Sequence, residues 1–350
     1  MHKKTIQNDF RHIPYSRFSV DLCKFRTMEK EFILGIDIGG TFTKLGLVDR
    51  KGNITAQAKF DTQAKEPFTD FLDRLDKAVH TLRRALDPAQ KVIAIGVGAP
   101  NANAHTGYLE HPPNLRWGDQ VPLADSIKKR FGLPVNIAND ANAAALGELE
   151  FGMGMGLKNF VVLTLGTGLG SGIISNGELL IGAHGMAGEI GHVNVNSTAN
   201  ARQCNCGLKG CLETYVSVTG IRRTIFELLA EMTNDSNLRS ISFENMTGEV
   251  ISEAALNGDA IAIKAFKLTA TTLGIQLADT TAHLDPEAFI LLGGLSKAGD
   301  FLRKPTVKAM NENLFIAYKD KVKVLLSETP HGHAVLGPAA LAWRMNANTF

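Results

Sequence analysis

From Phe32 onward, short apolar runs alternate with clusters of turn residues. FILGIDIGG (residues 32–40) is such a run ending in glycines, TKLGLVD (43–49) is a second, and AKFDTQ (58–63) follows the turn Lys51-Gly52-Asn53. Three strands joined by tight turns is the economical reading. In residues 67–86 the period changes. Phe68, Phe71, Leu72, Leu75, Val79, Leu82 and Leu86 recur at helical spacing. KVIAIGVGAP (91–100) reads as a buried strand ending at Pro100, LADSIKKRFG as a helix stopped by Gly132, LPVNIAND as a strand and ANAAALGELEFG as an alanine-rich helix. The second half repeats the plan. FVVLTLGTGLGSGIISNGELL (160–180) is another glycine-turned pair of strands. A long helix over 260–284 precedes the strand AFILLGGL, and KVKVLLS and LGPAALAWRMN supply a last strand and helix. Two halves that each open on a glycine-turned hairpin predict a duplicated α/β fold with a cleft between the copies.

Composition narrows the class. Of 350 residues, 44% are hydrophobic and 21% charged, which is globular rather than disordered. Thirty-seven Lys/Arg against 35 Asp/Glu exclude a nucleic-acid binder held by a broad basic face. The first 27 residues carry six Lys/Arg against two Asp/Glu. Residues 1–31 have no clear period and read as an unstructured extension, with Met28 a candidate start, or as a short arm that packs on a neighbour. The uncharged run Asn159–Gly177 contains Gly166, Gly168, Gly170, Gly172 and Gly177, so it reads as strand, turn and strand rather than a membrane span. With no secretory signal visible, the expectation is a cytoplasmic protein with no membrane partner.

The candidate chemistry sits at the turns. In Asp37-Ile38-Gly39-Gly40-Thr41, glycines let backbone N–H groups approach a phosphate, Thr41 adds a hydroxyl, and Asp37 could hold a hydrated Mg2+. Alone, such a turn is ordinary hairpin chemistry. The second turn, Gly166-Thr167-Gly168-Leu169-Gly170-Ser171-Gly172, repeats it, and four glycines in seven residues point to one phosphate clamped between facing hairpins. Gly293-Gly294 is a third strand-end pair, suited to an adenosine lying on bare backbone. None of these has the G-x-G-x-x-G, helix and acid of a Rossmann site. Cys204, Cys206 and Cys211 lie within eight residues, with His192 upstream. Three thiolates and an imidazole are a tetrahedral donor set for structural Zn2+. Cys23 lies outside the cluster. A metal staple there would draw Glu189, His192 and Glu213 into one neighbourhood, able to bond several hydroxyls.

The turns resemble those of the actin–hexokinase–Hsp70 superfamily. AGEIGH (187–192), CNCGLKGCLE (204–213), the D-x-G-G-T turn, GTGLGSG and LGGLS occur in the order of the ROK family of repressors and sugar kinases, a resemblance covering about residues 32–345. It implies a two-domain actin-like ATPase fold, a duplicated ribonuclease H-like unit with an interdomain cleft. The small domain would span 32–138, joined by a C-terminal helix over 336–350, and the large one 139–335 with a zinc loop at 192–213. It implies an ATP-dependent hexose kinase, with glucose favoured and an N-acetylmannosamine or N-acetylglucosamine kinase as the alternative. ATP with Mg2+ would be held by Asp37, Gly39, Gly40, Thr41, Thr43, Lys44, Gly166, Thr167, Gly168, Gly293 and Gly294. The sugar would be held by Asn139, Asp140, Glu189, His192 and Glu213, with Asp140 as general base and His192 serving sugar and zinc through different ring nitrogens. A homodimer or homotetramer is expected. A sugar-responsive repressor fits less well, because 31 residues ahead of the first strand are too few for a winged helix-turn-helix. An Asn-Asp pair before a helix is otherwise an ordinary N-cap. There are two departures from the family pattern. Asn101 stands where glucokinases usually have glycine, and the His192–Cys204 interval is slightly long. A side chain at Gly168 is expected to obstruct phosphate while sparing the sugar.

Overall fold

The computed structural model describes residues 30–329 and 334–346; the N-terminal extension and the last four residues lie outside them. The first sheet has strand order β3-β2-β1-β4-β7. Strands β1 (Lys30–Ile38), β2 (Phe42–Val48) and β3 (Ile54–Asp61) run antiparallel. β4 (Gln90–Ala99) and β7 (Val135–Asn139) add on in parallel. The crossovers are helices, as a parallel connection requires. α1 (Phe68–Arg83) buries Phe71, Leu75, Val79 and Leu82, four of the seven positions predicted from its period, and α2 (Leu123–Phe131) stops at Gly132 with φ 68°. A two-stranded ribbon, β5 (Leu109–Glu110) with β6 (Gln120–Val121), lies in the second connection.

The second sheet, β10-β9-β8-β11-β12, has the same topology. β8 (Phe160–Leu165), β9 (Leu169–Ser175) and β10 (Glu178–Leu179) form the antiparallel part, and β11 (Ala288–Leu292) and β12 (Lys323–Leu326) the parallel part. The duplication expected from two glycine-turned hairpins is therefore present strand for strand. Helices α4 (Val218–Glu231), α5 (Gly248–Leu256), α6 (Ala260–Leu284) and α7 (Asp300–Asn313) cover this sheet around one apolar core. Of these only α6 was legible from its period. α4 and α5 are announced instead by their caps, the side chains of Ser217 and Thr247 accepting from the N–H groups of Gly220 and Val250. α7 carries Pro305 inside it, which argues against a helix on sequence grounds. No helix among the described residues is long and apolar enough to cross a membrane.

Two helices lie between the sheets. α3 (Asp140–Phe151) follows β7 and packs on β4, β8 and β9. α8 (Leu336–Asn346) follows the second sheet in sequence but packs on β1, β4, β7 and α3. Its fit is backbone against backbone. A Cβ at Gly35 would overlap the carbonyl oxygen of Val335, one at Gly96 that of Pro338, and one at Gly337 that of Ala143. Glycine is required at these points for lack of space. Gly96→Ala is expected to cost about 3 kcal/mol in denaturant unfolding, the upper range for overpacking a core. Gly166→Ala, where a Cβ meets nothing within 4 Å, should leave the midpoint unchanged.

Candidate functional site

Asp37 ends β1 and faces Lys44 of β2 across the antiparallel pair, 4.0 Å from its Nζ. Its neighbour across the parallel pair is Gly98 of β4, which pairs in turn with Ala138 of β7. Two residues beyond Ala138 the chain enters α3 with Asp140. A glycine on the intervening strand thus lets two acids share the sheet's carboxyl edge, where open α/β sheets place their sites. Burial pushes the Asp37 carboxyl up to about 6; Lys44 pulls it back and Asp140 adds to the rise. Burial also raises Asp140, against the lowering effect of backbone N–H donors. Asn139 caps α3, its Oδ1 accepting from the Ala141 N–H at 2.9 Å.

The glycine turn of the second hairpin faces this edge. Asn139, Asp140, Gly166, Thr167, Gly168, Glu189, Glu213 and Gly293 line one cavity of about 380 Å³, with Asn101, Pro113 and Asn114 along its first-sheet side. An adjoining cavity of about 460 Å³ shares Thr167, Gly168 and Glu213 and reaches His192, Cys204 and Cys206. Glu189 is raised chiefly by burial, with Asp140 and Glu213 adding to the rise and His192 opposing it. Gly294 is not a lining residue of either cavity; it faces Glu249 and Val218. Thr43 points the other way: its buried hydroxyl meets that of Thr62 at 2.9 Å, so it supports the first turn from behind. The turn Gly39–Thr41 is closed by the Gly39 N–H on Phe42 O, and Gly40 comes up against Asn114.

Residues that sequence reasoning passed over hold the site together. The Leu169 N–H donates to Glu213 Oε2 at 2.9 Å. The buried Ser171 hydroxyl donates to Gly188 O and accepts from the Ile190 N–H, bracketing Glu189. Within the glycine run, a Cβ at Gly170 or Gly172 would run into Ala141 or Ala145 of α3. Gly170 still lines the cavity, while Gly172 does not and serves helix packing. The expectation that Gly168 can be enlarged without touching the sugar side is also corrected, since a Cβ there would overlap Glu213 Oε2. Asn101 has φ 53°, a left-handed conformation that glycine favours and asparagine tolerates, and its Nδ2 donates to His111 O at 3.1 Å. The Gly-to-Asn departure thus keeps the loop's backbone.

The ligand atoms of His192, Cys204, Cys206 and Cys211 all lie within 4.8 Å of one another. Tetrahedral ligands about 2.3 Å from a zinc ion stand about 3.8 Å apart. Cys206 and Cys211 are 3.6 Å apart, and Cys204 Sγ is 3.8 Å from His192 Nδ1, so the donor set fits. Burial and neighbouring thiols push Cys211 up to about 12, a cost that a bound cation would reverse. With Nδ1 facing the thiols, His192 turns Nε2 toward Glu189 Oε2, 3.8 Å away. The long His192–Cys204 interval folds back as a ladder, in which Val195 N–H bonds Gly210 O and Asn194 bridges Cys211. Arg202 docks it on α4, reaching Thr214 O, Gly220 O, Thr224 and Glu227.

The model of the ROK family matches residues 33–345. The chain belongs to the ROK family. A glucokinase of Halalkalibacterium halodurans is 38% identical over 286 residues, 79% of this chain and 84% of that protein. A xylose repressor of Caldicellulosiruptor bescii is 31% identical, over 88% of this chain and 77% of the repressor. The crystal structure of a ROK family glucokinase from Streptomyces griseus in complex with glucose and AMPPNP superposes with a TM-score of 0.75 at 33% identity, covering 89% of this chain and 98% of that one. The two sheets and their helices are thus the actin-like ATPase fold of ROK proteins.

Two measurements follow from this geometry. A carboxyl raised from 3.8 to about 6 weakens the folded state as pH climbs through that window, because the unfolded chain releases the proton first. Asp37→Asn should therefore stabilise the protein at pH 8, by on the order of 3 kcal/mol, and the gain should vanish below about pH 4. Thermal unfolding across pH checks this. Metal analysis of freshly purified, reduced protein should find one zinc per chain. Cys206→Ser should lower both zinc content and sugar affinity, because the loop carries Glu213.

Proposed function

We propose that the chain is an ATP-dependent sugar kinase transferring the γ-phosphate to a hexose hydroxyl, with glucose the favoured acceptor. The observation that carries this reading is Asp140. It stands at the start of α3 and lines the same cavity as the Gly166–Gly168 turn and the two carboxylates Glu189 and Glu213, and desolvation raises its pKa. Phosphoryl transfer asks the protein mainly for alignment and for a carboxylate to take the hydroxyl proton. A raised pKa makes Asp140 a stronger proton acceptor than an ordinary aspartate. A carboxylate in that place supports catalysis over a purely sugar-binding regulator, which needs no base.

In this reading the hydroxyl that receives phosphate lies against Asp140. Glu189, Glu213 and His192 Nε2 bond hydroxyls at the far end of the ring, and Asn139 holds the helix start that aims Asp140. The backbone of Gly166–Gly168 and of the Gly39–Thr41 turn cradles the phosphates, while Gly293 offers bare backbone to the nucleotide. Mg2+, when bound with ATP, neutralises phosphate charge, and Asp37 is the group placed to hold it. Zinc on His192, Cys204, Cys206 and Cys211 would be structural, fixing the loop that carries Glu213. The first sheet, completed by α8, and the second sheet form the two domains, dividing at residue 139. Closing them over the sugar excludes water from the phosphoryl group.

Asp140→Asn is expected to lower kcat at least about 10²-fold while sugar binding survives. The check is turnover of the purified variant beside calorimetric sugar binding; near-normal kcat would remove Asp140 from the mechanism. A panel of glucose, mannose, fructose and N-acetylhexosamines with ATP–Mg2+ assigns the acceptor, and a chain that binds sugar without turnover would be a regulator instead.

A further inference from the structure

After β4 the chain passes through Pro100 and Asn101, which line the sugar cavity, and then buries Asn103 at 4% exposure. The side chain of Asn103 bonds at both ends. Its Oδ1 accepts from the His105 N–H at 2.9 Å, and its Nδ2 donates to Glu110 Oε2 at 3.0 Å and to the carbonyl of His184 at 3.2 Å. Glu110 is held in turn by the Thr106 hydroxyl at 2.8 Å on its other oxygen. His184 belongs to the connection after β10, on the second sheet's side of the cavity. A second link runs parallel, His105 Nε2 lying 3.1 Å from Gly182 O. The two loops approach so closely that a Cβ at Gly185 would stand 2.5 Å from Asn103 Oδ1.

The partner loop leads directly to Glu189. Gly182, Gly185 and Gly188 all have left-handed φ, 78°, 78° and 98°, and within the segment only the Gly185 N–H on Gly182 O and the Ala187 N–H on Ile181 O hold the backbone among the described bonds. Its C-terminal end is fixed by Ser171 at Gly188 and Ile190. Its middle is fixed from the opposite sheet, by Asn103 and His105. We infer that Asn103 is a positioning residue for sugar binding: it ties the cavity-lining loop of the first sheet to the Gly182–Gly188 loop of the second, so that Glu189 takes up its sugar-binding geometry only while the two are joined. This rests on the kinase reading above. The chemistry explains why asparagine is used. An aspartate would keep the bond from His105 N–H but face Glu110 and a carbonyl oxygen with no donor, and an aliphatic residue would leave buried oxygens unpaired.

The test uses the full-length protein with Asn103→Ala, Asn103→Asp and His105→Ala, the last an exposed residue whose loss should not impair folding. Steady-state kinetics are run against glucose and ATP, and amide hydrogen exchange is followed over residues 181–188 without sugar. In Asn103→Ala, loss of a buried bonded group should raise the sugar KM about tenfold and speed exchange in 181–188 about tenfold, with the ATP KM within about twofold. Asn103→Asp should be worse, and His105→Ala should shift both readouts the same way by about two- to threefold. Folded variants with unchanged sugar KM and unchanged exchange in 181–188 would overturn the inference. So would a fall in kcat with exchange accelerated across the whole chain, which marks a general structural role. If Asn103→Ala does not fold, His105→Ala decides by the same two readouts. If the wild-type protein phosphorylates no hexose, the kinase reading fails, and the exchange measurement alone still decides whether Asn103 holds the second loop.

Discussion

The structure depends on how closely its neighbours approach α3. This helix is buried on nearly every side, and small residues meet it from each direction. Gly170 and Gly172 of β9 face Ala141 and Ala145, Gly98 of β4 faces Ala143, and Gly337 of α8 meets the backbone at Ala143 and Gly147. Close packing without voids leaves such a helix little freedom to slide or tilt. Asp140 sits at its first turn, so its position relative to both glycine hairpins is set by contacts made several residues away. A helix surrounded by glycine and alanine is the means by which two sheets present one carboxylate to a shared cavity.

The same crowding joins the glycine turn of the cavity to its two glutamates. Leu169 N–H and the space over Gly168 both belong to Glu213, and Ser171, two residues on, brackets Glu189. β9 therefore follows the Gly166–Gly168 turn directly and also fixes Glu213 and the segment that carries Glu189. Changes in one half of the site will be felt in the other, because a single strand serves both.

Elements with a one-sided environment were legible in the sequence. α1 shows its period because one face is wet, and the hairpins show because apolar runs flank their glycine-rich turns. The clustering of His192 with the three cysteines, and the carboxylates of the cavity, stood out because cysteine, histidine and acid clusters have few other uses at such spacing. What escaped was set by tertiary contact. Gly172 looks like a ligand glycine until α3 is seen against it, and Thr43 looks like a turn hydroxyl until strand alternation carries it to Thr62 on the other face. α7 was hidden by Pro305, and Asn101 looked like a change of sugar chemistry until its φ showed a backbone reason. Asn103 bears no motif at all, since its partner lies 81 residues downstream.

The route of α8 has a consequence for biosynthesis. Gly35, Gly46 and Gly96 form a bare face on the first sheet, and the segment that covers it, from Val335 through Ala342, follows the whole second sheet in sequence. The first sheet must therefore wait, uncovered on that face, until the second sheet and this later segment have also left the ribosome. Contacts this distant in sequence form slowly, and an apolar surface left open meanwhile invites aggregation or chaperone binding. An element made early is completed here by one made much later.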